Sequence, residues 1–309
     1  MSETVALMAL CRIPGMPWHL VAREAQRGGL EALHDGRVSE RSPEADDAVA
    51  ALRANIGGLP RYRDDVAKML AAVDAAGDIR VTTVLDDDYP ANLRTIHNLP
   101  PFLFYRGSLH PDDAWSVAVV GTRDASEEGV ARTRRLVARL VAAGVTVLSG
   151  LARGIDTAAH EACLDAGGRT IAVIGTGIRR TYPPENAGLA DRIAATGAVV
   201  SQFWPDSPPT RGSFPRRNVT MSAMAQGTVV IEASGTSGAR LQARFALEQG
   251  RRVFLPRSLV MSRDWARRYL ERPGAVQVEN PEDIVALLQS TQMIQARSEA
   301  RRQLTLSLA

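Results

Sequence analysis

Between residues 116 and 278 the chain repeats one pattern: a short unbroken apolar run, a Gly- or Ser-containing break, then a helix-period segment. SVAVVG (116–121), VTVLSG (145–150), TIAVIGTG (170–177), AVVSQF (198–203), TVVIEA (228–233), RRVFLP (251–256) and AVQV (275–278) are the apolar runs. They are too short for buried helices and too continuous for strands with one wet face, so they read as strands covered on both sides. EEGVARTRRLVARLVAAG, IDTAAHEACLDAGG, a stretch around 186–196 and GARLQARFALEQG carry apolar residues at three-to-four spacing and read as helices. Strand and helix alternating at this spacing predict an α/β fold with a parallel sheet and right-handed crossovers, starting near Trp115 and running to Gln289.

An open parallel sheet binds ligands beyond the carboxyl ends of its strands. The residues there are Gly121-Thr122-Arg123, Ser149-Gly150, Gly175-Thr176-Gly177 and the run from Glu232 to Gly238, which includes Ser237. Glycines that admit a phosphate, with hydroxyls and helix-start amides that donate to it, are the expected chemistry of such loops. One such loop is an ordinary turn; four on one sheet edge point to a phosphate-bearing ligand. GTRDASEEG does not match GxGxxG, which argues against a standard dinucleotide enzyme.

Residues 1–78 read as a separate helical unit, built from ETVALMALCRI, HLVAREAQRGGLEAL and RDDVAKMLAAVDAAG. The IPGMP break allows a SAM- or helix–hairpin–helix-like unit, but Pro14 and Pro17 remove amides that such a turn would offer DNA, which favours a plain bundle. Residues 79–114 read as a connector with a lead-in strand, and 290–309 as a frayed or disordered tail. The segment PDSPPTRGSFPRRN (205–218) stands where a crossover helix is due. Its Arg211, Arg216, Arg217 and Phe214 form either a basic lip with a stacking ring or a solvated loop anchored by the phenylalanine.

Charge is uneven. Residues 1–178 carry 19 basic and 23 acidic side chains, and residues 179–309 carry 18 and 11, so the second part suits a polyanion. Cys11 and Cys163 form neither a metal-ligand spacing nor a disulfide framework, and no cofactor or metal is expected. With no apolar run long enough to cross a bilayer and no signal-peptide pattern at the start, a cytoplasmic protein without a membrane partner is expected.

SGLARGIDTAAHEACLDAGGRTIAVIGTGIRRTYPPEN (149–186), GSFPRRN (212–218) and VVIEASGTSGARLQARFALEQGRRVF (229–254) closely resemble the DprA/Smf family. The lead-in DDDYPANLRTIHNLPPFLFYRGSL and VAVVGTR do so too, and the resemblance covers about residues 80–256. It implies a Rossmann-like domain that dimerises, binds and protects single-stranded DNA, and helps load the RecA recombinase in recombination or natural transformation. By position, Arg123, Arg216, Arg217 and Asn218 match that family's DNA pocket; Gly150, Arg153, Gly154 and Asp156 match its SGxARGID block; Gly175 to Gly177 match its GTG loop. Asp156 reads as structural, capping a helix or pairing with Arg153, and so does Gly154; the helical His160 carries the same expectation. The chain departs from the family after Phe254, where LPRSLVMSRDWARRYLERPGAV replaces a Val-Pro-Gly turn. The residues after Gln289 are too few for the winged helix of many members, so a truncated relative is expected.

Two other functions compete. A nucleotide sensor would use the same phosphate loops. A phosphoribohydrolase of the lysine-decarboxylase-like type needs a glutamate where this chain has Leu241 and Gln242, and Glu232 lacks a second carboxylate. Without a nucleophile–base pair, no catalytic residue is assigned and a non-enzymatic binder is expected.

Overall fold

The computed structural model describes residues 2–288, 299, 300 and 303. The 290–309 tail therefore lies outside the described residues, apart from Glu299, Ala300 and Gln303. The chain divides into two compact units, one formed by residues 1–103 with 295–309 and the other by Phe104–Ile294.

The first unit is helical, with α1 (Glu3–Leu10), α2 (Trp18–Gln26), α3 (Leu30–His34), α4 (Pro43–Asn55) and α5 (Leu59–Asp74), followed by β1 (Ile79–Thr83) and the start of β2 (Phe102–Gly107). Gly28, at φ 77°, ends α2, so the second expected helix divides into α2 and α3. The core holds Leu7, Leu10, Leu20, Leu33, Leu52 and Val66. A buried polar network ties the 39–44 segment down. Glu24 accepts hydrogen bonds from the Ser39 and Glu40 amides at 3.1 and 2.9 Å, and Arg23 donates to Glu40, to Glu44 and to the carbonyl of His97. The Arg23 guanidinium holds the Glu40 carboxyl down at about 2.

The second unit begins within the expected connector because Phe104–Gly107 of β2 pair antiparallel with β6. Its remaining elements are β3 (Ser116–Val120), α6 (Glu127–Ala142), β4 (Thr146–Ser149), α7 (Ile155–Asp165), β5 (Thr170–Val173), α8 (Ala187–Thr196), β6 (Ala198–Ser201), α9 (Ser213–Met224), β7 (Gly227–Val230), α10 (Gly238–Glu248), β8 (Arg252–Pro256), α11 (Arg257–Ser262), α12 (Asp264–Leu270), β9 (Ala275–Val278) and α13 (Pro281–Val285). The strand order is β2-β6-β5-β4-β3-β7-β8-β9, and every pairing from β6 to β9 is parallel. The fold is therefore Rossmann-like α/β: successive crossovers run one way from β3 through β4, β5 and β6, then restart on the other side with β7. That reversal opens a crevice beyond the ends of β3 and β7, where such sheets bind ligands. Val117, Val119, Val147, Val229 and Phe254 from the strands pack against Leu136, Val137, Leu140, Ile155 and Cys163 from α6 and α7. Among the described residues no helix is long and apolar enough to cross a membrane, and no group of three potential ligand residues could hold a metal ion.

Candidate nucleic-acid interface

The crossover between β6 and β7 contains α9, so the 205–218 segment is an extended loop only as far as Gly212. Pro215 sits in the first turn of α9, where a missing amide costs nothing. The helical turn separates the three arginines. Ser213, Arg217 and Met221, at i, i+4 and i+8, share the buried face, whereas Arg211 and Arg216 are exposed. Arg216 lies over the Phe203 ring, 5.4 Å from its centroid.

Arg217 is thus part of the pocket floor and not of a surface lip. Its Nη1 donates to the carbonyls of Gly150 and of Val173, the latter at 2.7 Å, and its Nε donates to Asn218 Oδ1 at 2.9 Å. Burial lowers its pKa from the usual arginine range; the Asp156 charge opposes that and the Arg123 charge adds to it. Asp156, also buried, accepts from the Gly150 amide at 3.1 Å and the Ala152 amide at 3.4 Å. Burial raises its pKa against the pull of Arg217 and these donors. Asp156 thus braces the loop between β4 and α7. Its expected alternative partner, Arg153, instead pairs with Glu185 at the surface. Gly154 carries the turn into α7 at φ 74°, with the Thr122 and Arg123 carbonyls against its α-carbon.

The crevice between β3 and β7 holds a cavity of about 320 Å³. Its wall includes Gly121, Thr122, Arg123, Phe214, Arg217, Asn218, Ser237, Gly238 and Gln242. A smaller groove shares Arg123, Ala152, Phe214 and Arg217 and adds Arg153 and Tyr182. Arg123 is exposed and sits 5.7 Å from the centroid of Phe214, and Tyr182, 41% exposed, tilts against the same ring at 5.6 Å between centroids. Arg123, Phe214 and Tyr182 form a cation–aromatic strip along the rim, with Arg217 behind it.

The strand-end loops are less alike than their composition suggests. Ser149 is fully buried and donates its hydroxyl to the Val119 carbonyl. Gly175, Thr176 and Gly177 are buried, with the Gly177 amide donating to Ser207 at 2.9 Å and the Thr176 hydroxyl donating to Arg180 at 2.7 Å. The Thr122 amide is taken by the Glu232 carbonyl at 2.7 Å. At Gly150 and Gly175 the missing side chain serves the protein itself: a Cβ would stand 2.4 Å from Arg217 Nη1 and 2.8 Å from the Phe214 ring. Gly150 and Gly175 therefore make room for Arg217 and Phe214, while Ser149, Thr176 and Gly177 are engaged with neighbouring backbone. The loop before α10 is different. Nothing lies within 4 Å of a Cβ at Gly235 or Gly238, and the Ser237 hydroxyl caps α10 by accepting from the Arg240 amide at 3.2 Å. The first amides of a helix have no partner within it, and Gly238 and Ala239 face the cavity.

The helix start used for phosphate in dinucleotide folds is filled. Glu232, at the end of β7, accepts from the Ser126 amide and hydroxyl at 3.2 and 3.1 Å at the start of α6. The Gln242 amide, oriented to satisfy both atoms, donates to the Asn218 carbonyl at 3.0 Å and accepts from the Ser222 amide at 3.1 Å, tying α10 to α9. His160 is fully buried, with Nδ1 2.7 Å from the Thr170 hydroxyl, and burial followed by the Arg217 charge pushes its pKa down to about 3. Tyr182 and the cavity-lining Gln242 were not picked out as site residues in the sequence. Tyr182 lies in a block, TYPPEN, that carried the family likeness and could have been singled out for it.

The sequence model of the DNA recombination-mediator protein A family matches residues 80–289. Protein Smf of Synechocystis is 43% identical over 178 residues, which are 56% of this chain and 45% of that one, so the chain spans less than half the length of this relative. The solved structure of DNA processing protein A from Streptococcus pneumoniae has a TM-score of 0.75 and 28% identity, covering 94% of this chain and 99% of that one. DNA processing protein A from Helicobacter pylori, whose structure concerns that protein's single-stranded DNA binding mode, has a TM-score of 0.59 and 25% identity, covering 67% and 94%.

Proposed function

Because the chain belongs to the DNA recombination-mediator protein A family, we propose that it binds single-stranded DNA in the β3–β7 crevice as a non-enzymatic helper of recombination. The observation that carries this reading is the pairing of Arg123 with Phe214 and Tyr182 at the rim, above the buried cation Arg217. In the bound state Arg123 meets one phosphate from the solvent side. Arg217 and the Gly238 and Ala239 amides meet it from the floor, and the Phe214–Tyr182 strip receives a base. Both arginines face one cavity, and the Arg123 charge raises the cost of charging buried Arg217, so a bound phosphate relieves a repulsion already present. Arg216 and Arg211 extend the positive surface as long-range attractors. Arg153, held by Glu185, adds to the rim. Dimerisation through the sheet domain and delivery of the strand to the RecA recombinase belong to the same proposal, as does a soluble, cytoplasmic setting.

The test compares a thymidine mononucleotide with an oligo-dT strand of about 20 nucleotides by fluorescence anisotropy and calorimetry. A strand binder shows length-dependent affinity that falls with salt, with a log–log slope near −0.7 per phosphate contacted. Saturable binding of the mononucleotide with no gain from length would replace this reading with a nucleotide sensor.

A further inference from the structure

Beyond the crevice, on the other side of the 235–238 loop, lies a second cavity of about 310 Å³. Its lining includes Thr236, Arg240, Leu241, Arg244 and Tyr269, and it contains no carboxylate. Ser237 and Gly238 line both cavities, so the two meet across the start of α10. We propose that this second cavity is a further phosphate subsite of the same binding track, taking the next stretch of a single strand after the crevice. The inference rests on the reading of the crevice as a strand-binding site and names how the strand leaves it.

Three features support the assignment. First, Arg240 and Arg244 are one turn apart on α10, about 6 Å along its axis, and both line the second cavity. Second, the cations are held in different ways. Arg240 donates to the Gly235 carbonyl and lies 5.9 Å from the Tyr269 ring centroid, so it is fixed beside the loop. Arg244 is half exposed; Glu248, 3.4 Å away on the same helix, is its ion-pair partner, a contact that water screens and a phosphate can replace. Third, the far wall comes from α12, through Tyr269. Tyr269 is buried against Trp265, with ring centroids 5.1 Å apart, and the Arg272 guanidinium also lies over its ring, 5.5 Å from the centroid. Tyr269 is therefore a platform for cations and not a free stacking ring, so the subsite recognises backbone and not bases. Between Gly238 and Arg244 the lining offers the hydroxyls of Thr236 and Ser237 and two guanidinium groups beside the apolar Leu241.

The full chain and its Arg244→Ala, Arg244→Gln and Arg123→Ala variants are titrated with a thymidine trinucleotide and with oligo-dT of about 20 nucleotides, over a salt series. Circular dichroism and thermal melting show that each variant is folded. The expected result is that Arg244→Ala leaves trinucleotide affinity unchanged, weakens the long strand about three- to tenfold at low salt, and flattens its salt slope by about 0.7. Arg244→Gln does the same, because charge and not side-chain length is read. Arg123→Ala weakens both ligands. An unaltered long-strand slope in the Arg244 variants, with Arg123→Ala still weakening both, overturns the second subsite and leaves the crevice reading intact. Equal losses on both ligands in Arg244→Ala overturn it as well, by placing Arg244 in the first pocket. No binding of either ligand by the unaltered chain overturns both readings.

Discussion

Replacing Arg217 by methionine keeps an unbranched apolar stem and removes the charged end of the side chain. The guanidinium has three protein acceptors, on Gly150, Val173 and Asn218, and it is the cation that offsets buried Asp156. Two carbonyls at strand ends lose a charged donor, and Asp156 keeps its Gly150 and Ala152 amides but loses its counter-charge. Removing one partner of a buried charge pair costs about 3–5 kcal/mol, against a total stability of about 5–15 kcal/mol. The cost depends on pH. Asp156 already has a raised pKa in the folded protein, and without Arg217 it rises further. The penalty of holding an ionised Asp156 is therefore present at high pH and is lost as pH falls through that raised value. Urea unfolding of both proteins at about pH 8 and about pH 5 measures this, the lower pH being still above the ordinary aspartate value of about 3.9. The expected difference in stability is larger at the higher pH, and adding Asp156→Asn to Arg217→Met recovers part of it, with a coupling of about 0.5–3 kcal/mol. A destabilisation that is the same at both pH values, with no recovery in the double variant, would refute the claim that Arg217 offsets the charge of Asp156.

Other expectations follow from the same geometry. Arg123→Ala, at an exposed position, should change stability by less than about 0.5 kcal/mol and flatten the salt slope of strand binding by about 0.7, as salt titrations would show. Phe214→Leu should cost about 1–3 kcal/mol of strand affinity while leaving the salt slope in place, because it removes a ring and no charge; anisotropy at two salt concentrations separates the two. Strand affinity should rise as pH falls through the raised pKa of Asp156, since protonation removes the negative charge lining the crevice, and Asp156→Asn should abolish that rise. In the first unit, Glu40 is held at about 2 by Arg23, so its contribution to stability is complete above the usual glutamate value of about 4.3 and is lost as pH falls towards about 2. Acid unfolding of Glu40→Gln should lack that component.

The sheet was legible because the strands β3 to β7 are buried on both faces and must be apolar runs, and every run from SVAVVG to AVQV is a strand. Among the features that the sequence did not reveal, three have separate physical reasons. α4 buries only Ala45, Ala48 and Leu52, and a face made of alanines shows little contrast with the polar side. α9 opens on Ser-Phe-Pro-Arg-Arg, in which proline suggests a break although it occupies the first turn, the part of a helix that tolerates it. β2 joins β6 antiparallel, and pairing between distant strands leaves no local mark. The misplacement of α9 carried straight into the site. In a loop, Arg216 and Arg217 are equivalent; in a helix they point about 100° apart, and the register of Ser213 and Met221 sends Arg217 inward. The same register explains the glycines, which looked like cradles for a ligand. Arg217 fills the space at Gly150 and Phe214 the space at Gly175, so those loops hold the cation and ring in place, while the open glycines lie before α10. Composition shows that glycine, arginine and aromatic residues converge on one sheet edge. Which of them contacts the ligand and which supports the contact depends on helix phase, and phase is readable only once the start of the helix is known.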